Sequence, residues 1–209
     1  MARKSGDPGV VSLCVTSRAT PVRSRVRRIV TTFDISARTL LAKLDVSSSM
    51  STSTPITIIK SRFTGTGREG DFAWMIEQPE HAKTLFLFND NEGEFLSHQR
   101  GGPHSCSSGG GNAGIRPYQC HEPPRALGIP TGTYDPGIHH RGYSCLDAHV
   151  LGVLDLAFSK LDELLATGRY DAVAFSWDDK TKLGGRIFET AQPVRDHIVE
   201  RILATAARH

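Results

Sequence analysis

Short apolar runs, each followed by a polar and glycine-rich segment, divide residues 50–209 of this 209-residue chain. Four of these runs have the length and the β-branched or aromatic content of strands, and they cover residues 56–59, 84–88, 126–130 and 171–177. The centre of the second run is entirely apolar, which is typical of a strand whose sheet is covered on both faces. The pattern predicts a sheet built from these strands.

A helical period separates the third strand from the fourth. Apolar residues recur at three- and four-residue spacing from residue 146 to residue 165, which predicts a long amphipathic helix. Ser144 followed by Asp147 resembles a capping box at its start, and Gly168 provides its stop.

Other helices are predicted on weaker signals. A final helix is expected to open at Pro193, and a short one over residues 71–78, where Pro79 ends it. Residues 89–125 are rich in Gly, Ser, His and Pro, with helix expected only over residues 112–118. Strands that alternate with helices predict an α/β domain, specifically a three-layer α/β/α arrangement around a mixed or parallel sheet.

The charge is divided unevenly along the chain. Residues 1–49 carry nine basic and three acidic side chains, whereas the remaining 160 residues carry 16 basic and 19 acidic ones. A mildly acidic body is not the footprint of a nucleic-acid-binding domain. Since the apolar runs are far shorter than the roughly 18 residues of a membrane span, neither nucleic acid nor membrane is expected as a partner of the body.

The basic leader, residues 1–49, has three competing interpretations. It is a targeting peptide, a disordered basic arm, or an over-extended start that precedes a true start at Met50. Under each interpretation, residues 50–209 form a single nucleotide-binding domain.

The chain has four cysteines and no CxxC pair, and they are Cys14, Cys106, Cys120 and Cys145. This does not predict a disulfide framework, and it favours a reducing cytoplasm. The histidines and cysteines that cluster between residues 98 and 149 match no metal-site spacing, so no metal site is assigned.

Ligands of α/β sheets bind at the carboxyl ends of the strands. Polar or glycine-rich segments follow all four predicted strands, at residues 65–71, 89–91, 131–134 and 178–179. Gly65-x-Gly67-x-x-Gly70 fits the dinucleotide fingerprint, with Asp90 about 20 residues further on. One alternative is therefore an oxidoreductase that uses NAD(P) or a flavin, and another is a glycine-rich turn without a ligand.

Two segments are candidate anion sites. Gly109, Gly110 and Gly111, followed by Asn112, can turn their backbone amides inward around phosphate oxygens. The segment 131–133 offers amides and hydroxyls for a second phosphate. Arg116 and Arg125 are candidate phosphate clamps.

The order of these motifs, from about residue 89 to residue 188, resembles that of a macrodomain, a fold that binds and processes ADP-ribose. That family has a strand ending in Asn, a triple-glycine loop, a strand ending in Ser/Thr-Gly-x-Tyr and a strand ending in Phe-x-Asp. The counterparts here are Asn89, Asp90 and Asn91; Gly109, Gly110 and Gly111; Thr131, Gly132, Thr133 and Tyr134, with Gly142-Tyr143; and Phe175 with Asp178. Gly70-Asp71-Phe72 is similar to the family's Gly-Asp-aliphatic motif, whose Asp contacts adenine.

The resemblance implies a macrodomain-like fold and a role for each of these positions. The triple glycine would enclose one phosphate and residues 131–134 the other, while Asn89 or Asn91 would bind the distal ribose. Asp90 would act as general base in a hydrolytic member, Asp178 would contact the ligand, and Phe188 or Trp177 would stack on adenine. The expected ligand is an ADP-ribose-type nucleotide or an ADP-ribosylated substrate, with no cofactor. Hydrolysis of an ADP-ribosyl or phosphoester bond and a non-catalytic nucleotide sensor or sponge are both open.

Overall fold

The computed structural model describes residues 55–102, 105–135, 138–185 and 189–209. The basic leader, Met50 and the candidate stacking residue Phe188 lie outside the described residues.

A mixed sheet forms the centre of the domain. Its strands are β1 (Thr57–Ser61), β2 (Thr84–Asn91), β3 (Ala126–Asp135), β4 (Ile138–Gly142), β5 (Ala172–Asp178) and the short β6 (Lys182–Leu183). The order across the sheet is β1-β5-β2-β3-β4, and β6 pairs with the end of β5. The pairs β1–β5, β5–β2 and β2–β3 are parallel, whereas β4 and β6 pair antiparallel to β3 and β5.

Helices connect these strands. They are α1 (Phe72–Met75), α2 (Glu92–Gln99), α3 (Ala148–Ala166) and α4 (Gln192–Ala206), with 3-10 helices at Pro79–His81 and Gly111–Cys120. The predicted α/β class is confirmed.

The packing of β2 explains why its apolar run does not alternate with polar residues. Leu85 and Leu87 belong to the cluster built with α3 and α4, whereas Phe86 and Phe88 belong to the cluster that contains Phe72. Successive side chains of a strand point to opposite faces, and these four β2 residues are at most 2% exposed. The sheet is therefore packed on both faces.

The long helix starts later than its capping box predicted. Asp147, rather than Ser144, is the N-cap: its Oδ1 accepts a hydrogen bond from the Val150 amide at 2.9 Å. An aspartate is as good a cap as a serine, and its charge also suits the positive end of the helix dipole. Gly168 follows the helix with a φ of +67°, which confirms the predicted stop.

Helix α2 and strands β4 and β6 were not predicted from the sequence. Helix α2 follows β2 directly, and Phe95 is its one fully buried residue, so it carries no apolar period. Strand β3 extends five residues past the predicted end because β4 pairs with it, Gly132 lying opposite Gly142.

Cys106 and Cys120 form a disulfide, with their Cα atoms 6.0 Å apart. The sequence analysis expected no disulfide, so that expectation is wrong for these two cysteines. The sequence spacing of the two cysteines does not predict a bond, since they are 14 positions apart and their pairing depends on the path of the loop between them.

Within the described ranges, no helix is both long enough and apolar enough to cross a bilayer.

The same substitution is expected to have opposite effects on stability at two glycines, one within α3 and one just after it. A Cβ at either Gly152 or Gly168 would meet nothing within 4 Å. Gly152 lies inside the helix, so Gly152→Ala is expected to stabilise the protein by about 0.5–1 kcal/mol. Gly168 has the left-handed backbone, so Gly168→Ala is expected to destabilise it by about 1 kcal/mol. Urea unfolding measures both, and effects of the same sign would contradict the helix boundary.

Candidate functional site

A cleft of about 1180 Å³ opens at the carboxyl ends of β1, β5 and β2. Five parts of the chain form its walls: the turn that follows β1, the end of β2, the end of β5 with the turns on either side of β6, the start of the second 3-10 helix, and the start of α4 with the segment before it. The lining residues are Arg62 to Thr66 and Gly70 to Ala73, Asn89, Gly111 and Asn112, Ser176 to Asp178, Lys180 and Thr181, Gly184 and Gly185, Glu189 and Arg195. The position is the one at which parallel sheets bind ligands.

Asn89 is the one of the three predicted catalytic residues that reaches this cleft. Its Nδ2 donates to the Gly184 carbonyl at 2.8 Å. Gly185, with a φ of +117°, lies so close that a Cβ there would overlap the same amide nitrogen. The Gly184-Gly185 turn therefore fixes the Asn89 side chain at the cleft floor.

Asn91, by contrast, has a structural role at the start of α2. Its Oδ1 accepts from the Glu94 amide at 2.9 Å, which makes it the N-cap of α2. Neither Asn91 nor Asp90 lines the cleft.

Asp90 is buried beneath the glycine loop and pairs with Arg116. The Asp90 side chain is 0% exposed and that of Arg116 is 7% exposed. The Arg116 guanidinium also donates to the Ser107 carbonyl at 3.2 Å and lies 6.0 Å from the Phe88 ring centroid. A Cβ at Gly109 would meet both terminal nitrogens of Arg116 at 3.0 Å. Arg116 therefore packs beneath the triple-glycine loop and supports it. It does not line the cleft, so it is not placed there as a phosphate clamp.

Burial dominates the protonation of Asp90. It raises the pKa of this carboxyl above the ordinary value of 3.8, while the Arg116 guanidinium and the Asn91 amide act in the opposite direction. Its Oδ2 is buried with no hydrogen-bond partner among the described residues.

The glycine loop itself contributes Gly111 and Asn112 to the cleft. Asn112 Nδ2 donates to Ser176 Oγ at 3.3 Å, which joins the loop to the end of β5. The loop is closed by a hydrogen bond from the Gly109 amide to the Ala113 carbonyl at 2.9 Å. A Cβ on Gly110 would meet nothing within 4 Å, so the loop is open on that side.

The turn after β1 is held by the Asp71 carboxylate, which accepts from two backbone amides. Asp71 caps α1 by accepting from Ala73 at 3.1 Å, and its second oxygen accepts from the Gly67 amide at 2.9 Å. A Cβ at Gly70 would overlap the Arg62 carbonyl. Because α1 has only four residues, this segment lacks the full helix on which the dinucleotide fingerprint places a pyrophosphate.

The predicted second phosphate segment lies elsewhere. Residues 131–134 are part of β3, and Thr131 is 1% exposed, with its carbonyl accepting from Thr190 Oγ1 at 2.7 Å. Thr133 lines a separate hollow of about 250 Å³, and Tyr134 is 56% exposed. The structure does not bring this segment together with Gly111 and Asn112, because β4 takes up its backbone hydrogen bonds.

The smaller hollow is organised by Glu92. Its carboxylate accepts from Tyr143 Oη at 2.8 Å and lies 2.9 Å from His149 Nε2. Burial and the Glu92 charge both raise the pKa of Tyr143, which keeps the phenol protonated as a donor.

Asp178 lines the cleft and shapes the turn there. Its Oδ1 accepts from the amides of Lys180 and Thr181 at 2.9 and 3.0 Å. The predicted Arg125 clamp is a structural donor instead, since its guanidinium bonds the carbonyls of Ile76 and His81 at 2.9 and 2.8 Å.

Sequence reasoning missed several lining residues, namely Phe63, Ser176, Thr181, Gly184, Gly185, Glu189 and Arg195. Of these, the pair Gly184-Gly185 could have been found in the sequence, because a glycine pair that follows a predicted strand indicates a turn near the strand end. The described residues contain no cluster of three or more His, Cys, Asp or Glu that could hold a metal ion.

Comparisons of the chain with protein-family models, curated proteins and solved structures find no match.

The Asp90–Arg116 pair predicts an unusual pH dependence. Arg116→Met removes the cation that lowers the pKa of Asp90, so burial raises that pKa further. The folded variant then holds a proton that the unfolded chain releases above about pH 4, and its stability falls as pH rises toward the folded-state pKa. We expect a loss of about 3–5 kcal/mol at pH 8 and partial recovery at pH 5, measured by urea unfolding.

The control for this variant is Arg169→Met, which breaks the exposed pair with Glu122. It is expected to change stability by less than about 1 kcal/mol at both pH values. Equal losses for Arg116→Met at pH 5 and pH 8 would contradict a dominant role for Asp90 burial.

The cap on α2 is tested at Asn91. Asn91→Ala is expected to cost about 1 kcal/mol of unfolding free energy, whereas Asn91→Asp, which keeps an acceptor oxygen, is expected to cost only a few tenths. Asp147→Ala at the α3 cap serves as the comparison. An unchanged midpoint for Asn91→Ala in urea would leave the cap without an energetic role.

Proposed function

We propose that the cleft binds ADP-ribose or a closely related nucleotide. The observation that carries the proposal is the meeting of three glycine-bearing segments at the carboxyl ends of three neighbouring parallel strands: residues 65–70, 111–112 and 184–185. Backbone close to a ligand, with few intervening side chains, is what a phosphate group requires.

The size of the cleft supports a ligand as large as a nucleotide with two phosphates. At about 1180 Å³ it exceeds the roughly 300–1,000 Å³ of pockets for drug-sized ligands. Three cations lie in its wall, Arg62, Lys180 and Arg195, alongside the carboxylates Asp71, Asp178 and Glu189. The formal charges of these side chains balance, so in this proposal the backbone amides of the glycine-bearing segments supply the contacts to the phosphates.

A macrodomain-like three-layer arrangement belongs to the same proposal. Its support is the pair of apolar clusters on opposite faces of the sheet, together with the order of the sequence motifs. The second phosphate segment at 131–134 does not take part in this version of the site, and the Gly184-Gly185 turn takes its place beside Asn89.

Binding is proposed in preference to turnover. Asp90, the residue that the resemblance assigns as general base, is 0% exposed at its side chain and outside the cleft lining. A general base must come within hydrogen-bond reach of the proton it removes. The cleft is accordingly proposed as a sensor or carrier of the nucleotide.

The test is calorimetric titration of the full chain with ADP-ribose, with NAD and AMP as comparators. We expect micromolar affinity for ADP-ribose, about −8 kcal/mol, and weaker binding of NAD. Gly110→Val is expected to reduce ADP-ribose affinity at least tenfold, because Gly110 adjoins the lining residue Gly111 and its new side chain would occupy the open space beside the loop.

Gly152→Val is the matched control, since it adds the same side chain at another glycine whose Cβ would meet nothing within 4 Å. Tighter binding of NAD than of ADP-ribose, or unchanged affinity in Gly110→Val, would contradict the proposal. Release of ADP-ribose from modified protein substrates by the unsubstituted chain would contradict a binding role without turnover.

A further inference from the structure

Phe63 is the exception among the phenylalanines that the structure describes. Its exposed fraction is 63%, whereas Phe72, Phe86, Phe88, Phe95, Phe158 and Phe175 are each at most 3% exposed. A phenyl ring left in water forgoes the free energy that burial gives the other six. Its position is therefore a cost to the free protein unless something else covers the ring.

The ring lies in the wall of the cleft, on an ordered turn. Phe63 is the second residue after β1, and the chain around it is fixed by contacts on either side. Thr64 Oγ1 donates to the Glu69 carbonyl at 3.3 Å, Arg62 pairs with Asp179, and Gly70 packs against the Arg62 carbonyl. The exposed ring is thus held at the cleft.

Two other aromatic side chains line the wall, and both are already engaged. Phe72 is 3% exposed and packs edge-on against Phe86 with ring centroids 5.2 Å apart, and Trp177 has three contacts. Lys60 Nζ lies 4.3 Å from its ring centroid, Phe175 packs edge-on at 6.0 Å, and its Nε1 donates to Asp179 at 3.1 Å. Within the described part of the chain, Phe63 has no such ring or cation contact. Of the three aromatic side chains in the wall, Phe63 is the one with a free face.

We propose that Phe63 is the base-recognition residue of the cleft and stacks on the nucleobase of the bound nucleotide. The inference rests on the proposed function and deepens it, because it makes the base, and not only the phosphates, a requirement for binding. Stacking of a base on an aromatic side chain contributes about tenfold to hundredfold in affinity. A purine, with the larger ring, gains the most.

The experiment compares ADP-ribose binding to the full chain and to Phe63→Ala, Phe63→Trp and Leu156→Ala. Leu156 is 54% exposed on α3 and does not line the cleft, so its removal controls for loss of an exposed apolar side chain. We expect Phe63→Ala to bind at least tenfold more weakly, and Phe63→Trp and Leu156→Ala to bind as the unsubstituted chain does. The adenine H2 and H8 proton resonances of bound ADP-ribose are expected to move upfield, and to lose that shift in Phe63→Ala.

Each outcome decides the inference. Unchanged affinity in Phe63→Ala, or a weaker complex whose adenine protons keep their upfield shift, overturns the stacking role and leaves the proposed function standing. Weakening by Phe63→Trp to the same extent as by Phe63→Ala also overturns it. Absence of ADP-ribose binding by the unsubstituted chain overturns the proposed function itself, and this inference with it.

Discussion

The buried ion pair between Asp90 and Arg116 connects the central strand of the sheet to the loop that borders the cleft. Asp90 comes from β2 and Arg116 from the 3-10 helix 26 residues later, and both side chains are almost completely removed from water. Such a pair is costly to bury and costlier to break, because either partner alone would be an uncompensated charge. The loop carrying Gly109, Gly110 and Gly111 therefore has a fixed base. Its conformation does not depend on a ligand to fold it.

This arrangement separates support from recognition along one short stretch of strand. Asn89 points its amide to the Gly184 carbonyl at the cleft floor, Asp90 supports the loop from below, and Asn91 starts the next helix. Alternation along a strand explains the first two roles, and the end of the strand explains the third. The sequence analysis grouped Asn89, Asp90 and Asn91 as one catalytic motif, and in the structure each of them makes a different structural contact.

Local signals in the sequence were sufficient for much of the fold. The apolar core of β2 and the period of α3 are each complete within their own segment, and both elements were predicted. Helix α2 has too few buried residues to show a period, and the length of β3 depends on pairing with β4, so neither was visible locally. The cleft lies at the edge of the sheet where the sequence analysis placed the candidate site, because the strands that end there were predicted from their own segments. The set of residues that line or support the cleft was not visible in the sequence, because contacts such as Asn89 with Gly184, or Arg116 with Asp90, join residues far apart along the chain.

The cleft is assembled from segments at both ends of the domain, from Arg62 after the first strand to Arg195 in the last helix. No fragment of the chain contains it, so it exists only when the β1–β5 and β2–β5 pairings have formed. Such long-range pairings are the slow part of folding. A ligand that occupies the cleft binds only the completed fold and raises the free energy of unfolding of the whole domain in proportion to the logarithm of its concentration once the cleft is saturated. The abundance of the folded protein would then follow the supply of its ligand.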